Sequence, residues 1–357
     1  VPQQKPLVIG EQGSFAVGGT VLEVPGTFDP SAFPAPPSGQ TLHGDHAYVQ
    51  YQLPVKPRKY PLVMWHGGGQ MAKTWETTPD GREGFQSIFL RRDYGVYIID
   101  QPRRGRAGNT TVGTTIAPRP MDQSLFNLFR IGQWPNYNPN VQFPRDKASL
   151  DQFFRQITAD TGPNDLVVAP KAVSALLDKI GESVLLTHSD SGSRGWLAAL
   201  ANKKVKGIVA YEPAQFVFPE GGAPPPRGLF PNIIVPIAEF KKLTRIPIQL
   251  VYGDYIPEVA GPDGTSPLLV ANLANAKDFV RSVNEHGGKA QPLILPEIGI
   301  RGNTHFAMSD LNNLKIADLL SNFLERNHLD GYADRGRDDW DRYAEDDRDR
   351  DRDRSDR

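Results

Sequence analysis

Short apolar runs recur along most of this chain and alternate with stretches of helical character. The runs are PLVMWH (61–66), GVYIID (95–100), SVLLTH (183–188), GIVAYE (207–212), IPIQLVYGD (246–254) and AQPLILPE (290–297). Runs this short, apolar at successive rather than alternate positions, belong to strands covered on both faces. Between and after them, AVSALLDKI (172–180), SGSRGWLAALAN (191–202), residues 267–286 and DLNNLKIADLLSNFLERN (310–327) place apolar residues at helical spacing. The segment between the first two runs, TWETTPDGREGFQSIFLRRD, is polar and then helical. Strands alternating with helices predict an α/β fold, a mostly parallel central sheet with helices on both faces. Ahead of these, GSFAVGGTVLEV (13–24) reads as a strand broken by glycines, and HAYVQYQLP (46–54) alternates apolar and polar. That pattern predicts an antiparallel pair at the edge of the larger sheet.

Two segments interrupt the rhythm. Residues 105–165 are rich in Pro, Asn, Phe and Gly, and residues 213–245 contain GGAPPPRG. Insertions after strand ends in such folds sit over the functional edge of the sheet, so both are expected to act as cap-like walls. The tail after Gly331 is of another kind. DRDRDRDRSDR has nothing to bury, and residues 331–357 are expected to be disordered. The main domain is thereby expected to span 1–330.

Composition narrows the chemistry. All 357 residues include no cysteine, which excludes disulfides, thiolate metal sites and a cysteine nucleophile. The net charge is −1, and 8 arginines against 11 acidic residues fall between Asp334 and Arg357, leaving the body near neutral. No positive field points to nucleic acid. No apolar run reaches the roughly 18–20 residues that span a bilayer. The chain starts VPQQKP, without a charged-then-apolar leader, and this is read as a processed or truncated start that favours a secreted or periplasmic protein. The pattern permits a homodimer and does not demand one.

Three stretches carry candidate chemistry. In THSDSG (187–192) an apolar strand runs into a serine and then a helix. A serine on a tight strand-to-helix turn is pushed out above the sheet, with helix N–H groups behind it where negative charge develops. Thr187 and Ser191 occupy the glycine positions of G-x-S-x-G, and both are small, as a crowded turn requires. The second stretch, WHGGGQ (65–70), follows an earlier strand, and its glycines let backbone approach a substrate carbonyl. The N–H groups of Gly68 and Asp190 are the expected oxyanion donors. The third, IGIRGNTHFAMSD (298–310), is a loop between the last strand and last helix, and offers His305 as general base. Among the other histidines, His188 adjoins the serine and is expected to be structural, while His286 and His328 close helices. The acid has two candidates. Where many hydrolases carry G-D-x-D, this chain reads Gly253-Asp254-Tyr255-Ile256. The position expected of the carboxylate is thus isoleucine, and Asp254 remains as an alternative. Glu212, at the end of the strand following the serine's helix, is favoured.

These stretches, with TWETTPDGR (74–82), YIIDQPRRGRAG (97–108), LLTHSDSG (185–192), VAYEP (209–213) and GIRGNTHFAMSDLNNLKIADLL (299–320), resemble a small family of secreted bacterial α/β-hydrolase esterases with an H-S-x-S-G elbow and a glutamate acid. The resemblance runs through most of 60–327. It implies an α/β-hydrolase fold and a serine esterase using Ser189, His305 and Glu212 on a small-molecule ester, with no metal or organic cofactor. The Pro-rich insertions and the HGGG loop differ from the family's, and the Arg/Asp tail has no counterpart in it. Lactones, amides and carbamates are alternative substrates, and a non-catalytic binding protein on the same fold is the alternative class.

Overall fold

The computed structural model describes residues 5–228 and 230–333. The tail expected to be disordered falls, from residue 334 on, outside the described residues. Among the described residues, eight strands form the central sheet: β1 (Ile9–Glu23), β2 (Thr41–Pro54), β3 (Leu62–Trp65), β4 (Val96–Asp100), β5 (Ser183–His188), β6 (Val205–Tyr211), β7 (Pro247–Tyr252) and β8 (Lys289–Ile294). Their order across the sheet is β1-β2-β4-β3-β5-β6-β7-β8. β1 and β2 pair antiparallel, β2 meets β4 antiparallel, and every later pairing is parallel. The edge hairpin and the parallel core therefore both follow the hydrophobic pattern. β8 ends at Ile294, because Pro296 helps turn the chain into a 3₁₀ segment over Leu295–Ile298.

Among the described residues, eight helices accompany the sheet: α1 (Phe85–Leu90), α2 (Asp122–Leu128), α3 (Lys147–Arg155), α4 (Val168–Ile180), α5 (Ser191–Ala201), α6 (Ile237–Phe240), α7 (Ser266–Glu285) and α8 (Asn313–Arg326). Successive strand residues face opposite layers. Leu62, Met64, Val96, Ile98, Val184 and Leu186 pack with residues of α1, α2, α3 and α8. Val63, Trp65, Ile99, Leu185, Ile208 and Leu250 pack with α4, α5, α6 and α7. Both layers exclude water, which is why the strands read as unbroken apolar runs. The helix expected late in 74–93 is only the short α1, because Pro79 and Gly81 hold the preceding segment in turns.

The loops after β3, β4, β5, β6, β7 and β8 all emerge at the carboxyl edge of the parallel strands, where open α/β sheets bind ligands. The segment 105–165 adds α2, α3 and a small ribbon pairing Gly132–Gln133 with Asn136–Tyr137. The segment 213–245 adds a short parallel pair, Val217–Pro219 with Ile233–Val235.

Candidate active site

Ser189 follows β5 directly and has φ 51°, a left-handed conformation that side-chain-bearing residues rarely adopt. The turn is held by its neighbours. The Ser189 N–H donates to the Tyr211 carbonyl at 2.9 Å, and the Gly192 N–H donates back to the Ser189 carbonyl at 3.0 Å. Ser191, standing where glycine is usual, is fully buried. Its hydroxyl accepts the His188 N–H at 2.9 Å and lies 3.0 Å from the Trp65 carbonyl, tying β5's end to β3. Gly192 has no such freedom: a Cβ there would lie 2.5 Å from the Pro213 Cβ.

Behind the serine, Asp190 sits at the N-cap of α5. The first N–H groups of a helix lack partners within it and carry its positive end. The Asp190 carboxylate is anchored by Arg194 at 2.9 Å and by Asn164 at 3.2 Å, which fixes this backbone. The glycine loop comes in from β3. A Cβ on Gly67 would stand 2.8 Å from His188 Nδ1 and 3.0 Å from Ser189 Cβ, and one on Gly68 would stand 3.3 Å from Asp190 Cβ. Only glycine at 67 permits that approach. Arg104, wholly buried, donates to the Gly67 carbonyl at 2.9 Å and pairs with Asp160, and the Thr158 N–H donates to the Gly69 carbonyl at 2.9 Å.

His305 reaches the site from the loop between β8 and α8. Its Nδ1 is 2.5 Å from Glu212 Oε2. Glu212 is buried and also adopts a left-handed φ of 47°. Burial pushes its carboxyl up, but the charges of Arg130 and then His305 outweigh this and hold it at about 2. An ionised carboxylate only accepts, so His305 Nδ1 carries the proton and Nε2 is left as the acceptor. The other oxygen, Oε1, accepts the Gly253 N–H at 2.7 Å and an Arg130 Nη2–H. Asp254, the alternative acid, accepts the N–H groups of Gly302 at 2.7 Å and Tyr255 at 2.8 Å. It braces the loop that bears His305, while Glu212 is the carboxylate on the ring.

Three further residues set the histidine. His188 is buried, and burial, followed by the nearby His305, drives its pKa well below the usual value, so it is neutral. Its Nε2–H donates to the His305 carbonyl at 2.9 Å. The Phe129 carbonyl accepts the His305 N–H at 3.0 Å, and the Phe129 ring lies parallel to the imidazole with centroids 5.1 Å apart. Asp310 accepts the Thr304 N–H at 2.7 Å and hydroxyl at 2.9 Å. Burial pushes its carboxyl up to about 7 despite those bonds. Phe129 sits in an aromatic cluster visible in the sequence. Arg130 was not anticipated; its one signal is a lone charge inside the apolar LFRI.

Ser189, Glu212, His305, Gly68 and Asp190 line one cavity of about 910 Å³. Its apolar wall includes Ile116, Leu125, Phe129, Ile157, Phe230 and Leu269. These come from both insertions and from α7, whose share the pattern did not indicate. Ile116, Met121 and Phe230 remain partly exposed, so the mouth is apolar. Of the aromatic residues Trp75, Phe126, Phe129 and Trp134, Phe129 lines the cavity. Trp75 and Phe126 are sealed in the core, and Trp134 packs edge-on against Phe126. Among the described residues, no cluster of three His, Asp or Glu side chains is placed to hold a metal ion, and no helix is long and apolar enough to cross a membrane.

Comparison with known proteins agrees with this architecture. No protein-family model matches the chain. A probable secreted lipase, phiG, from a fungus (strain ATCC 74256) is 32% identical over 317 residues, covering 78% of this chain and 85% of that protein. A bacterial esterase whose structure was solved at atomic resolution superposes with a TM-score of 0.74 at 30% identity, covering 92% of this chain and 99% of that one. The chain belongs to the α/β-hydrolase family of lipases and esterases.

Proposed function

We propose that this protein is a serine hydrolase of carboxylic esters, with Ser189 as nucleophile, His305 as general base and Glu212 as the acid that orients it. The observation that carries the reading is the convergence of Ser189, the His305–Glu212 pair and the Gly68 and Asp190 backbone on one apolar cavity. The names of two relatives, a lipase and an esterase, support the same chemistry. His305 Nε2 takes the Ser189 proton as Oγ attacks the ester carbonyl carbon. The carbonyl oxygen becomes negative and is met by the N–H groups of Gly68 and Asp190. Fixed donors of this kind are each worth roughly 10²–10³-fold in rate. Glu212 stabilises the imidazolium. The C–O bond to the alcohol then breaks, His305 returns the proton to the departing oxygen, and an acyl-Ser189 ester remains. Water, deprotonated by His305, attacks the acyl carbon; the bond to Ser189 Oγ breaks, His305 returns the proton to Oγ, and the acid is released. The residues between 105 and 165 and around Phe230 and Leu269 would supply the substrate wall, favouring esters with an apolar acyl or alcohol portion. The secreted character named for the fungal relative supports export.

The test is hydrolysis of a short-chain p-nitrophenyl ester together with labelling by a fluorophosphonate. The reading expects activity and a single label at Ser189, both lost in Ser189→Ala. Full activity in Ser189→Ala, or labelling elsewhere, overturns it.

A further inference from the structure

Among the described residues, Arg130 is the one fixed positive charge bonded to the triad carboxylate, and it comes from the insertion rather than from the sheet. Its Nε donates to the Asp254 carbonyl at 2.7 Å while Nη2 holds Glu212 Oε1. One guanidinium thus bridges the ends of β6 and β7. The side chain is 3% exposed, and its backbone is left-handed at φ 60°. Its Nη1 is sealed from solvent without a partner among the described residues. A buried ion pair is weak evidence for stability, and this one also demands a strained backbone and leaves a buried donor unmatched. Local cost of this kind concentrates at functional sites. The neighbouring residue points the same way, because Phe129 holds His305 by its carbonyl and its ring.

We propose that Arg130 is a positioning residue that holds the Glu212 carboxylate in register with His305 and couples the insertion to the catalytic geometry. The inference rests on the Ser189–His305–Glu212 reading. With Oε1 occupied by Arg130 and Gly253, the carboxylate cannot rotate, and Oε2 remains for Nδ1. The positive charge also opposes protonation of the site. The other titratable groups facing Glu212 are His188 at the end of β5, Tyr252 at the end of β7 and Asp310 beyond His305. His188 and Tyr252 are held neutral by burial. Asp310 is an acid and His305 carries charge only when protonated, so Arg130 supplies the fixed part of the opposing charge.

The experiment measures kcat and KM for p-nitrophenyl butyrate across pH in the full chain. The variants are Arg130→Met, Arg130→Lys, Glu212→Gln, Ser189→Ala and the double variant Arg130→Met/Glu212→Gln, each checked by near-UV circular dichroism. Arg130→Met is expected to lose about 10- to 100-fold in kcat, the range for outer-shell partners that orient a functional ligand. KM should stay near the parent's, and the acid limb of kcat/KM should move to higher pH. Arg130→Lys, keeping charge without the fork, should recover the limb and part of kcat. Because Arg130 acts through Glu212, adding Arg130→Met to Glu212→Gln should cost little more. A folded Arg130→Met with parental kcat and acid limb overturns the proposal, as does a full further loss in the double variant. If Arg130→Met does not fold, the same cycle is run with Arg130→Lys, and a kcat loss that persists undiminished in Glu212→Gln overturns it. Retained activity in Ser189→Ala would instead overturn the triad reading, whatever Arg130 does.

Discussion

Glu212→Gln removes one charge and almost no volume, yet three donors converge on that side chain. Arg130 Nη2–H and the Gly253 N–H meet Oε1, and His305 Nδ1–H meets Oε2. An amide offers one accepting oxygen. The pair of donors, one of them charged, will claim it, which turns the amide N–H₂ toward His305. The imidazole must then accept at Nδ1 and carry its proton on Nε2, the tautomer that cannot take a proton from serine. Losing the correct tautomer in a triad costs on the order of 10⁴-fold in kcat. Stability should fall as well. A carboxyl held at about 2 instead of 4.5 favours its charged form by about 3 kcal/mol, and the variant also leaves Arg130 buried with no counter-charge. Asp254→Asn is the control, since its carboxylate accepts the backbone N–H groups of Gly302 and Tyr255, away from the ring. The assay is kcat on a p-nitrophenyl ester with urea midpoints on the same samples. Glu212→Gln within tenfold of the parent, beside a crippled Asp254→Asn, would refute the reasoning and return the acid to Asp254.

Other outcomes follow from the same geometry. Gly67→Ala would set a methyl against His188 Nδ1 and the Ser189 Cβ, displacing the glycine loop. Its kcat should fall by roughly 10²-fold or more, as for loss of an oxyanion donor, with the urea midpoint showing whether the fold survives. Glu212's depressed pKa contributes stability that is complete above about 4.5 and is lost as pH falls toward 2, so urea midpoints should drop across that range and the drop should shrink in Glu212→Gln. Asp310 works in the opposite direction. Its folded carboxyl binds its proton up to about 7, above the unfolded value, so its contribution falls as pH rises from about 4 to 7. Asp310→Asn, which has no proton to titrate, should flatten that part of the stability profile, while the Thr304 hydroxyl can turn to accept from the amide; an unchanged slope would show that Asp310 ionises normally.

The amino-acid sequence by itself determined the layer architecture and the chain order of the candidate site residues. Strands buried on both faces must be apolar throughout, and a serine between an apolar strand and a helix has little choice but a tight turn. Those constraints act within a few residues and so can be read along the chain. Even the departure from G-x-S-x-G was legible as a demand for small side chains, although the bond from Ser191 to β3 was not. What the tertiary structure decided involves residues far apart in sequence. Glu212 and Asp254 are both carboxylates near strand ends, and only the folded loops bring Oε2 of Glu212 onto His305 while turning Asp254 to Gly302. His188 bonds the His305 carbonyl through its ring and Phe129 bonds the His305 N–H through its own carbonyl, pairings between segments far apart along the chain. Arg130 lies 82 residues from the glutamate it holds, inside an insertion whose pattern predicts little. An ion pair of that kind depends on distance in space and on exclusion of water, and neither quantity exists until the chain has folded.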